Sequence, residues 1–160
     1  MLYEFGGVEQ VIVWHPTAIS SLNPKNGEVY WEVPFMVRAG LTIPMPRKVG
    51  NRLFVTAFYN GPRMLEVDGK SAKVLWEGKS DSEHPRQTDG LHSIMPTPWM
   101  DEDNIYGICS YGQLRCLDAD TGERVWETLE TTGSGRWWKA FIIPHEDRCF
   151  NDNEQGYLSM

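Results

Sequence analysis

The sequence predicts an all-β protein, a β-propeller of four-stranded antiparallel blades, and three observations carry this prediction. Trp-Glu pairs recur at Trp31, Trp76 and Trp126, which lie 45 and 50 residues apart, and such a period is typical of propeller blades. The segments between them are rich in β-branched and aromatic residues, and "RLFVTAFYNG" (52–61) ends in Asn-Gly, a strong hairpin signal. No segment keeps a sustained helical period of apolar residues.

The strand and turn signals divide the chain into blades, whose strands we name A to D from the axis outward. Full blades are predicted at 41–79 and at 91–129. Strands B to D of an incomplete blade, without a strand A, are predicted at 8–33. A strand A and the start of the next blade are predicted at 136–160. The chain therefore supplies about three blades.

So few blades do not close a ring, since propellers have about four to eight. An open arc also exposes strand edges that promote aggregation. We expect the C-terminal strand A of one chain to complete the N-terminal blade of another, so that a homodimer closes a ring of about six blades. A trimer would give about nine blades and is less favoured. A third interpretation is a longer parent protein cut at arbitrary points.

Composition narrows the class of protein. The chain has 160 residues, which is the size of one domain. Its formal net charge of -7 argues against a nucleic-acid partner. No apolar run approaches the ~18 residues that a membrane span needs, and "MLYEFGGVEQ" lacks the features of a signal peptide. The odd cysteine count, at Cys109, Cys116 and Cys149, favours small buried apolar side chains over a disulfide framework.

The segment from Asp118 to Trp126 carries a family resemblance. Asp118-x-Asp120-Thr121-Gly122-x3-Trp126 resembles the repeat of the PQQ-like β-propeller family, and Asn23-Pro24-x-x-Gly27-x3-Trp31 matches it well. That family includes quinoprotein alcohol dehydrogenases and BamB-type outer-membrane assembly lipoproteins. Nearly the whole chain is similar to the PQQ-like repeat proteins of planctomycete-type bacteria. The resemblance implies that the Asp-x-x-Thr-Gly turn joins the outer strands and that Trp31, Trp76 and Trp126 pack between blades. It also implies a periplasmic or extracytoplasmic location.

The resemblance does not bring the chemistry of the quinoprotein enzymes with it. Those enzymes resemble this chain only in the blade motif, and they need about eight blades around one quinone. The sequence has no adjacent cysteine pair, and it has no Glu, Asn and Asp set that matches their calcium site. Bound PQQ is therefore not expected. The C-terminal "HEDRCFNDNEQGYLSM" also departs from an apolar strand, with Asn and Asp in place of large residues.

Topology places the D–A loops and the B–C turns at one end of the propeller, which we call the mouth. Loops on a rigid scaffold concentrate binding residues, and this end gathers nine candidates for ligand contact: His15, Arg38, Tyr59, Asn60, Asp89, His92, Tyr111, Arg136 and Trp137. The repeat turn and its tryptophans, in contrast, are predicted to be structural. No nucleophile motif is present, so no catalytic residue is assigned.

Two functions remain open at the mouth. One is a binding or scaffolding propeller with a small-molecule or protein ligand. The other is a metal-assisted hydrolase in which His15, Asp89 and His92 hold Zn²⁺ or Ca²⁺ with an open position for water. The structural alternative for the same residues is that Asp89 caps a turn with Gly90 and His92 bonds a neighbouring loop.

Overall fold

The computed structural model describes residues 1–146 and 148–160. In this part of the chain, four consecutive antiparallel sheets form a β-propeller-like arc. The first sheet holds β1 (Leu2–Phe5), β2 (Val8–His15), β3 (Ala18–Leu22) and β4 (Val29–Pro34). The second holds β5 (Arg47–Val49), β6 (Arg52–Ala57), β7 (Gly61–Asp68) and β8 (Ser71–Glu77). The third holds β9 (Trp99–Met100), β10 (Asn104–Ile108), β11 (Leu114–Asp118) and β12 (Arg124–Thr128), and the fourth holds β13 (Ala140–His145), β14 (Arg148–Asn153) and β15 (Leu158–Ser159).

The first sheet corrects one prediction. The segment 8–33 was expected to lack a strand A, but β1 pairs with β2 from Leu2 opposite Val11 to Phe5 opposite Val8. The Gly6-Gly7 turn joins them, with φ values of 54° and 75° that glycine adopts readily. The first sheet thus has its four strands, and an exchanged strand from another chain has no gap to fill there. The chain supplies four sheets instead of about three blades.

Apolar clusters fill the spaces between successive sheets. Ile12, Trp31 and Leu53 belong to the cluster between the first and second sheets. Phe54 and Leu117 belong to the cluster between the second and third. Ile108, Leu114 and Ala140 form a smaller cluster between the third and fourth. Face-to-face packing of this kind is what the alternation of apolar residues along the strands predicts.

The repeated tryptophans occupy the spaces between sheets, but not equally. Trp31 is buried and its Nε1 donates to Gln10 Oε1 at 2.9 Å. Trp76 donates to the carbonyl of Ala119 at 3.0 Å, and its ring lies so close to Gly122 that an added Cβ would come within 2.6 Å of ring carbons. Both confirm the predicted packing. Trp126, expected to do the same, is instead 41% exposed.

Trp76 and Trp126 have different surroundings. The turn that covers Trp76 joins the third and fourth strands of the next sheet, β11 and β12. The described residues of the sheet after Trp126 form three strands, β13 to β15, and the Trp126 ring lines a cleft between the two sheets.

The Asp118 turn confirms its predicted structural role. The Asp118 carboxylate accepts hydrogen bonds from the backbone N–H groups of Asp120 and Thr121, at 3.0 and 2.8 Å, and from the Thr121 hydroxyl at 2.9 Å. The Thr121 bonds hold the pKa of Asp118 below its usual value. Gly122 takes a φ of 73°, which closes the turn, and Asp120 forms an ion pair with Arg52 of the second sheet at 2.8 Å.

The glutamate of the Trp-Glu pair has a role that the sequence did not reveal. Glu77 binds Arg63 at 2.6 Å, and Glu127 binds Arg115 at 2.7 Å, in each case across neighbouring strands. Arg63 then donates to the carbonyl of Pro34 at the end of the preceding sheet. Arg115, completely buried, donates to the carbonyl of Gly90 in the loop before its own sheet. These pairs tie the second and the third sheet to the chain segments that lead into them.

The only helix in the described residues is a single 3-10 turn, Arg38–Gly40. No helix of that part of the chain has the length and apolar character needed to cross a membrane.

Candidate binding site at the mouth

Three loops bring five of the predicted residues together at the mouth. Arg38 lies in the connection from β4 to β5, and Tyr59 and Asn60 lie in the turn between β6 and β7. Arg136 and Trp137 lie in the connection from β12 to β13. With Phe58 they form one group that we call the mouth cluster: Arg38, Phe58, Tyr59, Asn60, Arg136 and Trp137. Topology alone predicted this convergence, because these connections share one end of the sheets.

The mouth cluster is an aromatic row with a guanidinium group at each end. The Trp137 ring stacks on Phe58 with centroids 5.1 Å apart and planes 14° apart. Phe58 meets Tyr59 edge to face at 5.0 Å. The Arg136 guanidinium carbon lies 4.6 Å from the Trp137 centroid, and that of Arg38 lies 4.5 Å from the Tyr59 centroid. Both distances are within the range of a cation–π interaction.

Several contacts fix this row in place. Phe58 is fully buried and anchors it. The Asn60 side-chain oxygen accepts the backbone N–H of Arg38 at 2.8 Å, which links two of the loops. Arg136 forms an ion pair with Glu83 at 3.1 Å, so the long loop before the third sheet also reaches the mouth. Trp137 has a φ of 75°, a conformation that a bulky residue adopts only when its surroundings hold it.

The mouth cluster is accessible to a ligand. Trp137 is 43% exposed, and the Arg136 side chain is 42% exposed. Arg38 is exposed as well. Arg38 brings an exposed guanidinium group to this aromatic row, and Arg136 brings a second one whose charge the Glu83 carboxylate offsets in part. The arrangement suits a ligand that carries both a ring and a negative charge.

Phe58 and Glu83 were missed by the sequence analysis. Phe58 is adjacent to the predicted Tyr59, and in an alternating strand a neighbouring side chain is assigned to the opposite face. The turn breaks that alternation, and Phe58 contacts Trp137. The only sequence feature that pointed to Glu83 was its position in the long charged loop. That position does not indicate that its partner is Arg136.

His92 supports the mouth cluster from below but does not reach its surface. The ring is completely buried, and Nδ1 lies 3.1 Å from the carbonyl oxygen of Phe58. Because a carbonyl only accepts, Nδ1 must carry the proton. The backbone N–H of His92 donates to Cys109 Sγ at 3.3 Å. Within the described residues Nε2 has no hydrogen-bond partner and lies against Gly61. Burial lowers the pKa of His92 to about 4.

The structure does not bring the three predicted metal ligands together. His15 lies on the face of the first sheet that points away from the second, where Nε2 is 3.2 Å from the Ser20 hydroxyl and Nδ1 is 3.1 Å from the Thr17 hydroxyl. Asp89 is exposed in the long loop, and His92 is engaged with Phe58. The structural alternative for His92, a bond to a neighbouring loop, is the one observed.

A metal centre is not assembled elsewhere in residues 1–146 and 148–160, where no group of three or more His, Cys, Asp and Glu side chains could hold a metal ion. Tyr111, the last predicted residue, lies outside the mouth cluster beside His84, with ring centroids 6.2 Å apart.

The chain is similar in fold to three solved structures that are each more than twice its length. BamB from Moraxella catarrhalis has 14% identity and a TM-score of 0.65, over 99% of this chain and 47% of that one. The computationally designed Ika8 protein has 8% identity and a TM-score of 0.65, over 98% and 43%. The quinohemoprotein alcohol dehydrogenase ADHIIG from Pseudomonas putida HK5 has 15% identity and a TM-score of 0.55, over 98% and 31%.

At these identities the likeness establishes the fold alone, and the chain spans less than half the length of each of these structures. No curated protein has a significant match to the sequence. The family comparison establishes more than the fold. The sequence profile described as outer membrane protein assembly factor BamB matches residues 9–139. That match covers most of the 160 residues, and the chain belongs to this family of PQQ-like repeat propellers.

Proposed function

We propose that this chain is a binding and scaffolding module that holds an acidic, aromatic segment of a protein partner at the mouth cluster. The observation that carries the proposal is the exposed Trp137 ring, stacked on the buried Phe58, with Arg136 beside it and Arg38 at the other end of the aromatic row. The description of the family as an outer membrane protein assembly factor supports a protein partner. It also supports a periplasmic or extracytoplasmic location for this chain.

The chemistry of the mouth cluster selects such a segment. An aromatic side chain of the partner stacks on the open face of Trp137, which Phe58 holds from behind. Carboxylates of the partner pair with the guanidinium groups of Arg38 and Arg136 beside that ring. Tryptophan and arginine in this combination are the residue types that most often dominate interface energetics.

Three short peptides of equal length test this proposal by fluorescence anisotropy: one of alternating Glu and Tyr, one of Lys and Tyr, and one of Glu and Ser. We expect the Glu-Tyr peptide to bind most tightly and its affinity to fall with added salt. Trp137→Ala is expected to weaken its binding about tenfold, and Arg136→Ala about fivefold.

The matched control is Trp126→Ala, because Trp126 is similarly exposed but lies far along the third sheet, on β12. This variant is expected to bind the Glu-Tyr peptide like the parent chain. Equal affinity for the Lys-Tyr peptide, or an equal loss with Trp126→Ala, would rule out recognition by the mouth cluster.

We also propose that two copies of the chain close a ring as a homodimer. Two observations support this: 99% of the chain corresponds to 47% of the Moraxella BamB structure, and the outer faces of the end sheets expose apolar side chains. Leu2 and Val13 are exposed on the first sheet, and Phe141 and Ile143 on the fourth. With four sheets per chain the ring has eight sheets, which replaces the six expected from the sequence.

The native mass of the chain tests the homodimer. Twice 18.3 kDa is expected, and Phe141→Asp is expected to shift the chain to a single copy, because it places a charge in the contact. Val125→Asp, at an exposed position of the third sheet, is the control and should leave the mass unchanged. A mass of 18.3 kDa for the parent chain, or three times that value, would refute the homodimer.

A further inference from the structure

A second cleft lies between the third and fourth sheets, away from the mouth cluster. Its volume is about 390 Å³, within the range of small-ligand sites. Its lining includes the side chains of Trp99, Asp101, Tyr106, Trp126, Cys149 and Asn151, together with charged residues at one end of β13 and β14. Neither the mouth nor the homodimer proposal uses this cleft.

One wall of the cleft is a row of three aromatic rings. Trp99 and Tyr106 have centroids 5.3 Å apart, and Tyr106 and Trp126 have centroids 6.1 Å apart. Trp126 is 41% exposed, and its ring lines the cleft. The row therefore offers several aromatic surfaces to a ligand in the cleft, with neighbouring rings tilted by 32° and 50°.

The opposite wall is polar at positions where the other sheets are apolar. On β6 the side chains directed at the preceding sheet include Leu53, Val55 and Ala57. On β14 the corresponding face carries Cys149, Asn151 and Asn153, because Asn151 pairs with Ile142 and Asn153 with Ala140, which pack against the third sheet. The departure from an apolar strand seen in the C-terminal sequence thus lies on the wall of this cleft.

Asn151 indicates that this wall meets a polar ligand. The residue is only 6% exposed, and within the described residues its Oδ1 has no hydrogen-bond partner. A buried acceptor without a donor is unfavourable. A ligand that donates a hydrogen bond at this point would satisfy it.

The charge of the cleft narrows the ligand class. Burial raises the pKa of the Tyr106 phenol and of the Cys149 thiol, so both stay neutral at pH 7. Asp101 and Glu146 add carboxylates to the lining, and Arg148 adds a guanidinium group. The cleft thus combines aromatic side chains with hydrogen-bond donors and acceptors of both charges, which suits a neutral ligand with several hydroxyl groups better than an ion.

We propose that the cleft between the third and fourth sheets is a binding site for a neutral pyranose sugar. The apolar face of one sugar ring stacks on Trp126, and a second, linked ring reaches Trp99. Hydroxyl groups of the sugar donate to Asn151 Oδ1 and to the Asp101 carboxylate. A turn of protein chain is the competing occupant, since such a turn covers Trp76 in the preceding interface. It is less suited, because the strand facing Trp126 presents the amide of Asn151, whereas the cluster beside Trp76 is apolar.

Indole N–H signals in a two-dimensional NMR spectrum of the full chain test the site. Maltose, cellobiose and N,N'-diacetylchitobiose are added separately at about 10 mM, a concentration that occupies weak sites. We expect at least one sugar to shift the signals of Trp126 and Trp99 and to leave those of Trp31 and Trp137 unchanged. Asn151→Leu removes the hydrogen-bond acceptor and fills the space. It is expected to lower the affinity for that sugar about tenfold or more.

The matched control is Trp137→Ala, which alters the mouth cluster and should leave sugar binding unchanged. Trp126→Ala should abolish it. If the NMR spectrum of Trp126→Ala is not that of a folded protein, the sugar affinity of Asn151→Leu alone tests the site. Absence of shifts at Trp126 and Trp99 with all three sugars overturns the proposal, as does full binding by Asn151→Leu. A response to N-acetyltryptophanamide but to none of the sugars also overturns it, in favour of a protein segment.

Discussion

Trp31→Ala is expected to lower the free energy of unfolding by about 4 kcal/mol, whereas Trp126→Ala is expected to cost about 1 kcal/mol or less. The two residues hold the same repeat position, but Trp31 is 7% exposed and Trp126 is 41% exposed. Removal of Trp31 leaves a cavity between the first and second sheets and deprives Gln10 of the indole donor. Urea denaturation followed by far-UV circular dichroism measures both values.

Trp31→Phe serves as the control, since it keeps most of the apolar volume and loses only the indole N–H. Its cost should fall between those of the other two variants. Equal costs for Trp31→Ala and Trp126→Ala would contradict the unequal burial of the two side chains. A denaturant slope that differs between variants would show that compactness, and not burial at one site, had changed.

The second and third sheets could be predicted from sequence because each strand there carries its own signal. Asn60-Gly61 and the Asp118 to Gly122 turn punctuate alternating apolar runs, and the sheets formed where expected. Strand β1 was missed because it has only four residues and carries Glu4, so it does not resemble an apolar inner strand. That omission produced the expectation of strand exchange, which the pairing of β1 with β2 removes.

The mouth cluster could be predicted from topology. The predicted metal ligands, in contrast, are kept apart by the geometry of their sheets and loops. Connections at one end of consecutive sheets converge whatever their sequence, so Arg38, Tyr59 and Trp137 meet. Sequence does not tell how deep a loop residue lies or which face a strand end presents. His92 is buried beneath Phe58, and His15 lies on the outer face of the first sheet, so they cannot share an ion.

The cleft beside Trp126 could not be predicted from its repeat, because the cover of each tryptophan comes from the next sheet. Trp76 and Trp126 both stand in a Trp-Glu pair, and both contact an aromatic ring of their own sheet. The difference between them lies in the neighbouring sheet. Gly122 meets Trp76, whereas the strand on the far side of the Trp126 cleft presents Asn151 and Cys149. The unusual composition of that strand was visible in the sequence, but its consequence needed the packing of the two sheets.

Acidification from pH 7 to pH 4 is expected to remove about 3 kcal/mol of stability through His92 alone. The pKa of His92 is about 4 in the folded chain and about 6.5 in an unfolded one. Between these values the unfolded state binds a proton that the folded state excludes, so the free energy of unfolding falls as pH decreases. The physical cause is the fully buried ring, whose Nε2 faces Gly61 and has no hydrogen-bond partner within the described residues. Urea denaturation at half-unit pH steps measures the loss.

His92→Asn isolates this contribution from the carboxylates that titrate in the same range. The Asn amide can still donate to the Phe58 carbonyl, as Nδ1 of His92 does at 3.1 Å, but it does not ionise. The variant should be less stable than the parent chain at pH 7, because a smaller side chain leaves a void. Its stability should nevertheless decline by about 3 kcal/mol less between pH 7 and pH 4. If the stabilities of the two proteins fell in parallel with pH, His92 would be protonated in the folded chain. The conclusion that a buried, neutral imidazole lies beneath the mouth cluster would then be wrong.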